Sequence, residues 1–335
     1  MPRPRLASTD AYTAAHETAI QVDRSDRTLL RFHGRDPFRM LQGLLSNDIS
    51  GVGVGRGVYA TVLTPKGKMI ADARVYGLAP TELLLDAPPE VRDSLLGYFT
   101  RTVPPLFARF EDLTDSWGVL GVYGPAAHSM AGGVVGRPPP DEEDGFVTAS
   151  LAGESAVLAR TPYGAVDGYE IFAPRQSLEP VRRALSEAGA EAAGAETLEV
   201  LRIEAGRPRW GAELDETVIP LEAGLRERAI SEGKGCYTGQ EVIVRILHRG
   251  HVNRLLRGLL IEGDEPLAAG GELVRPGESK VVGRVTSACV SPRFGRAIAL
   301  AYVRREVEPP ATLQLAGDER TAQVVALPFP EHNVA

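Results

Sequence analysis

The chain has 335 residues, 43% of them hydrophobic and 24% charged, an ordinary globular composition whose length suits two or three domains. A formal net charge of -7 argues against broad attraction to nucleic acid or an anionic membrane. Two cysteines, Cys236 and Cys289, exclude a disulfide framework and suit a reducing cytoplasm, and no stretch has the signature of a signal peptide or a membrane span.

In chain order, residues 28–33 predict a short strand. Asp36 and Pro37 then open an amphipathic helix, as N-cap and first helical residue. Phe38, Leu41, Leu44 and Leu45 share its apolar face, and Asn47-Asp48 closes it. Gly51, Gly53, Gly55 and Gly57 resemble a phosphate loop only superficially. Strand-like sequence follows them where a helix is required, so they predict a turn. Residues 59–63 and 69–76 predict a hairpin, 83–85 a third strand and 89–102 a second amphipathic helix. That order suggests an antiparallel α+β layer.

The mixture then repeats. Residues 119–123, 156–159 and 169–173 predict strands, and 125–130, 178–188 and 196–204 predict helices, with a polar loop at 137–145. After Glu241 the texture changes. Residues 242–247, 257–262, 281–290 and 297–303 read as strands, predicting a small all-β domain, barrel or sandwich.

The densest functional segment is Lys234-Gly235-Cys236-Tyr237-Thr238-Gly239-Gln240-Glu241. Two glycines and six functional side chains suit a bent loop with a task. Lys234 lies two residues from Cys236, and a nearby ammonium favours the reactive thiolate. The competing reading is a small buried thiol. No base lies close in sequence, so a nucleophilic dyad is not supported. The cysteines lack paired spacing and the six histidines are scattered, which disfavours a metal site. Residues 242–261 carry no acidic residue but hold Arg245, His248, Arg249, His251, Arg254 and Arg257. This strip reads as a site for an anion or partner, or as solvated strand ends; without aromatics, it disfavours single-stranded nucleic acid.

Several segments together resemble the GcvT-like aminomethyltransferase superfamily: Asp167-Gly168-Tyr169-Glu170-Ile171, Leu201-Arg202-Ile203-Glu204-Ala205-Gly206 and Pro220-Leu221-Glu222-Ala223-Gly224-Leu225. The loop from Lys234 to Glu241 resembles, more narrowly, the YgfZ branch of folate-binding proteins linked to iron–sulfur cluster assembly or repair. The resemblance implies two α+β domains plus a C-terminal β-barrel around a central tetrahydrofolate cavity. It divides the chain into a folate-binding module over 1–245, internally divided near 110–145, and a barrel over 246–335. Iron–sulfur client proteins are the implied partners, without a membrane, and the alternative activity is folate-dependent aminomethyl transfer or demethylation.

The resemblance also assigns residues. Glu170 takes the place of a pterin-binding glutamate, a role its two acceptor oxygens suit. Asp72 is what remains of an aspartate pair near the folate amine. Leu198 stands where an arginine is expected. Cys236 becomes the candidate reactive group at the cavity edge, and Lys234 and Tyr237 candidate folate contacts; Tyr237 reads equally as packing against the β domain. Arg202 and Glu204 sit two apart on a helix, do not face each other, and read as structural.

Overall fold

The computed structural model describes residues 9–53, 55–317 and 319–330. The first half runs α1 (Thr9–Glu17), β1 (Ile20–Asp23), β2 (Thr28–His33), α2 (Pro37–Gln42), β3 (Gly57–Leu63), β4 (Met69–Ala79), β5 (Glu82–Ala87), α3 (Arg92–Thr102), β6 (Arg109–Asp112) and β7 (Trp117–Tyr123). It continues through α4 (Ala127–Val135), β8 (Phe146–Leu151), β9 (Glu154–Arg160), β10 (Gly168–Pro174), α5 (Arg175–Glu187), β11 (Glu191–Ala192), α6 (Ala195–Glu204), α7 (Arg226–Ala229) and α8 (Gln240–Arg249). The last strands are β12 (Arg254–Ile261), β13 (Glu272–Val274), β14 (Val281–Ser291), β15 (Arg296–Arg304), β16 (Ala311–Leu315) and β17 (Thr321–Val325).

Two sheets and one closed barrel result, the α+β architecture with a C-terminal barrel that the sequence suggested. The five-stranded sheet has the order β3-β4-β5-β2-β6 and is antiparallel throughout. The six-stranded sheet has the order β11-β1-β7-β10-β9-β8, parallel only at its β1/β11 edge. Chain order and sheet membership differ: β1 belongs to the second sheet and β2 to the first. Residues 24–27 therefore cross from one sheet to the other, and this crossover reaches the cavity described below.

Local rules explain several elements. Asp36 caps α2 by accepting the Arg39 amide at 3.2 Å, with Pro37 as the first helical residue. The helix ends at Gln42, earlier than Asn47-Asp48, because Gly43 caps it. The β3/β4 turn uses Gly67 at φ +70, a conformation open to glycine. Gly206 follows the Ala205 cap of α6 at φ +66 and ends that helix in the left-handed region.

One element departs from its expected type. Residues 242–247 lie within helix α8, not a strand. The β-branched run Val242-Ile243-Val244 favours strand locally. Ile243, Ile246 and Leu247 nevertheless fall at helical spacing, and burying one apolar stripe outweighs propensity. Helix α8 covers residues 245 and 246, where the two modules were expected to meet. The elements α1, β1, β6, β8, β11 and α7, and the barrel strands β13, β16 and β17, were not read from the sequence; most are short and carry little periodicity.

The barrel closes in the order β12-β15-β14-β13-β16-β17. Leu259, Leu273, Val285, Ala299, Leu313 and Val324 belong to its apolar interior. Helix α6 docks onto it. Arg202 donates to Glu213 at 2.8 Å, and Ser287 of β14 donates to Glu213 at 2.6 Å. Glu204 instead accepts from Tyr12 at 2.9 Å and from Ser291 of β14. Two neighbouring residues of one motif thus bind the barrel through separate polar networks, consistent with their structural reading.

Candidate functional site

A cavity of about 700 Å³ lies between the two sheets, bordered by the α6 segment. Its wall comes from the 24–27 crossover, from Tyr59 of β3, from Asp72 and Arg74 of β4, and from Tyr163. Leu198 and Arg202 of α6, Trp210 and Arg228 complete it. Strands β14 and β15 of the barrel pack against α6.

Glu170 is fully buried on β10, opposite Gly121 of β7. Its Oε1 accepts from Tyr123 at 2.9 Å and from Arg24. Two glycines make the tyrosine contact possible. A Cβ on Gly121 would meet the Tyr123 ring at 2.5 Å, and one on Gly168 would meet it at 2.4 Å. The Gly168-Tyr169-Glu170 motif therefore has a steric cause: its glycine makes room for the ring whose hydroxyl reaches the glutamate. The other oxygen, Glu170 Oε2, is buried without a hydrogen-bond partner among the described residues. Burial pushes the Glu170 carboxyl up, but Arg24, Arg74 and Arg27 outweigh it and hold the group below the usual range.

Asp72 forms the second carboxylate centre. Its Oδ2 accepts from the Tyr59 hydroxyl at 2.8 Å, and its Oδ1 is buried without a hydrogen-bond partner among the described residues. Burial raises the Asp72 carboxyl above its ordinary value, only partly opposed by Tyr59, Arg27 and Arg74. The Tyr59 ring has the guanidiniums of Arg228 at 4.7 Å and Arg74 at 5.8 Å from its centre. These cations are fixed in turn. Arg74 donates to Asp144 at 2.8 Å, Arg228 donates to Glu143 at 2.9 Å, and Arg27 holds Asp86 through two bonds of 2.7 and 2.8 Å.

Asp72 thus stands in the wall, with Glu170 behind it. Leu198 also lines the cavity, where the resemblance implies an arginine. The loop residues Lys234, Cys236 and Tyr237 are not among the lining residues, although the sequence placed Cys236 at the cavity edge. The physical reason is Lys234. Its ammonium is buried and donates to the carbonyls of Gln42, Leu45 and Asn47, each at 2.7 Å. It also lies 5.1 Å from the centre of the buried Tyr237 ring. The loop is thereby fastened to the exit of α2, and the ammonium is committed to carbonyls rather than to a thiolate. Cys236 is exposed and free; Cys289 is buried, which pushes its thiol up.

Sequence reading missed Arg24, Arg27, Tyr59, Arg74 and Arg228. For Arg24 and Arg27 the charge run Asp23-Arg24-Ser25-Asp26-Arg27 just before a predicted strand was the available signal; Tyr59, Arg74 and Arg228 carried none. The basic strip lies outside the lining: Arg245, His248 and Arg249 are exposed on α8, and Arg254 pairs with Glu222 at 3.3 Å. Among the described residues, no group of three or more His, Cys, Asp or Glu could hold a metal ion, and no helix is long and apolar enough to cross a membrane.

Comparison with known proteins matches residues 6–232 to the GCVT N-terminal domain and residues 254–330 to the glycine cleavage T-protein C-terminal barrel domain. The aminomethyltransferase of Rubrobacter xylanophilus is 33% identical over 325 residues, covering 95% of this chain and 85% of that one. That of Streptomyces avermitilis is 31% identical over 344 residues, covering 98% and 91%. The crystal structure of glycine cleavage system aminomethyltransferase T from Bartonella henselae superimposes with a TM-score of 0.87 over 96% of this chain and 89% of that one. At 21% identity it speaks to the fold.

Proposed function

Because the chain belongs to the GcvT-like aminomethyltransferase superfamily, we propose that it binds tetrahydrofolate in this cavity and performs folate-dependent aminomethyl transfer. The observation that carries the reading is a pair of buried carboxylate oxygens without a hydrogen-bond partner among the described residues: Asp72 Oδ1, on a residue of the cavity wall, and Glu170 Oε2, behind the wall. An unpartnered buried acceptor is costly, and a ligand rich in N–H donors removes that cost. The residues therefore fit a reduced pterin. Glu170 would accept from its aminopyrimidine edge. Leu198 and Trp210 offer apolar surface to its body.

When bound, tetrahydrofolate supplies the amine that takes up a one-carbon unit. The chain's own contribution centres on Asp72. Burial raises its carboxyl above the ordinary aspartate value, the direction that suits a group holding or passing a proton at Oδ1. Tyr59 fixes its orientation through Oδ2, and Arg228 and Arg74 fix Tyr59.

A second reading makes the protein a tetrahydrofolate binder of the YgfZ type, supporting assembly or repair of iron–sulfur enzymes in the cytoplasm. Leu198 favours it, because an apolar side chain occupies the place where the superfamily resemblance implies an arginine. The exposed Cys236 belongs to this reading as a candidate group facing a client protein. In either case the folate-binding module would span 1–245 and the barrel module 246–335, with α8 crossing the join.

Anaerobic calorimetry with tetrahydrofolate tests what the readings share; no binding refutes both. Ammonia release from an S-aminomethyl donor then separates them. Turnover lost in Asp72→Asn supports transfer. Binding without turnover, together with impaired iron–sulfur enzymes in cells carrying Cys236→Ala, supports the second.

A further inference from the structure

Arg24 stands between the cavity and Glu170. It lines the cavity, whereas Glu170 is fully buried and absent from the lining. Its Nη1 alone carries all of its side-chain hydrogen bonds: to Glu170 Oε1, to the Tyr123 hydroxyl at 3.2 Å and to the Tyr163 hydroxyl at 3.2 Å. Nε and Nη2 have no partner among the described residues. The neighbouring Arg27 is different. It grips Asp86 through two parallel bonds, the strong geometry for a guanidinium and a carboxylate. One crossover thus holds a two-pronged structural pair and a one-pronged pair facing the cavity.

We propose that Arg24 is a gate residue that occupies the recognition carboxylate Glu170 and must withdraw before a ligand can take both of its oxygens. This inference rests on the tetrahydrofolate reading. A donor pair on a ligand needs Oε1 and Oε2 together. Oε2 is bare, but Oε1 is held by Arg24.

The exchange is physically accessible. The Arg24 backbone is anchored, its amide donating to Val119 at 2.8 Å and its carbonyl accepting from Arg27 at 3.2 Å, so only the side chain has to move. Glu170 keeps two cationic neighbours when Arg24, the strongest of the three, leaves, because Arg74 and Arg27 also act on it. Tyr123 continues to donate to Oε1. Asp26, exposed in the cavity wall and without a hydrogen bond of its own among the described residues, offers the departing guanidinium a partner. Arg24 therefore sets the affinity of the site: the ligand binds only the fraction of molecules in which the carboxylate is free.

The test is the dissociation constant of tetrahydrofolate for the wild-type protein and for Arg24→Met, which keeps the stem and removes the guanidinium. Circular dichroism establishes that both are folded. The expected result is binding tightened about tenfold or more in Arg24→Met, with faster association. If the wild type binds and Arg24→Met binds equally or more weakly, the gate is refuted while the folate reading stands. If the folded wild type does not bind, the folate reading falls and the gate with it. A crystal structure of the wild type with tetrahydrofolate decides the matter even if Arg24→Met does not fold. Arg24 beyond hydrogen-bond distance of Glu170 is the expected result, and ligand bound with the pair intact overturns the proposal.

Discussion

Replacing Arg202 with Met should unfold this protein at a distinctly lower temperature through one buried network. Arg202 is 4% exposed and Glu213 is 1% exposed. Arg202 donates from Nη1 to Glu213 at 2.8 Å, from Nε to Glu199 at 2.9 Å, and from Nη2 to Ser287 of the barrel. Methionine keeps the apolar stem but leaves Glu213 buried without its counter-charge. Stranding one partner of a buried pair costs ~3–5 kcal/mol. Unfolding entropy is about 2.1 cal/mol/K per residue. Over 335 residues this gives roughly 0.7 kcal/mol/K, so a loss of about 4 kcal/mol lowers Tm by about 6 °C.

Differential scanning calorimetry reads that shift directly. Arg202→Met/Glu213→Met, with both charges gone, should recover most of it, because an apolar pair of similar volume often replaces a buried ion pair at little cost. A single variant melting within about 1 °C of wild type would refute the reasoning. So would a double variant no more stable than the single one.

Gly121→Ala should weaken tetrahydrofolate binding more than tenfold by pushing the Tyr123 ring off Glu170; unchanged calorimetric affinity contradicts the steric argument. Asp72 has a raised folded pKa, so the folded state holds its proton more tightly than the unfolded state does. Its contribution is present below the ordinary value of 3.8 and fades as pH rises through the folded value. Relative to wild type, Asp72→Asn should therefore gain stability as pH rises above about 4, and a flat difference in Tm argues against it. Lys234→Met leaves three carbonyls at the α2 exit without their donor, which should cost about 3 kcal/mol in urea unfolding. It should change tetrahydrofolate affinity less than threefold; a large loss would put the loop back at the cavity.

Individual side chains show how far the sequence reached. Asp36 and Pro37 announced α2 because capping depends on a few adjacent residues. Glu170 and Asp72 were singled out through motif context; the structure puts Asp72 in the cavity wall and buries Glu170 behind Arg24, which lines it. Lys234 was legible as an unusual residue but not as a fastener, because its three acceptors lie 187 to 192 residues away. Val242-Ile243-Val244 misled because intrinsic β preference is local, whereas the surface that buries Ile243 is not.

Local pattern in the sequence determined an α+β part followed by a small all-β domain, barrel or sandwich, written in periodicity, turns and caps that act over a few residues; that the strands close into a barrel came from the family resemblance and the tertiary structure. Tertiary structure alone decided the cavity. Residues 24–27 become its wall only because β1 and β2 enter different sheets. Arg24 meets Glu170 across 146 positions, Arg74 meets Asp144 across 70, and Arg228 meets Glu143 across 85. Such pairs form where folding brings distant charges out of water together, and no local spacing encodes which cation will face which carboxylate.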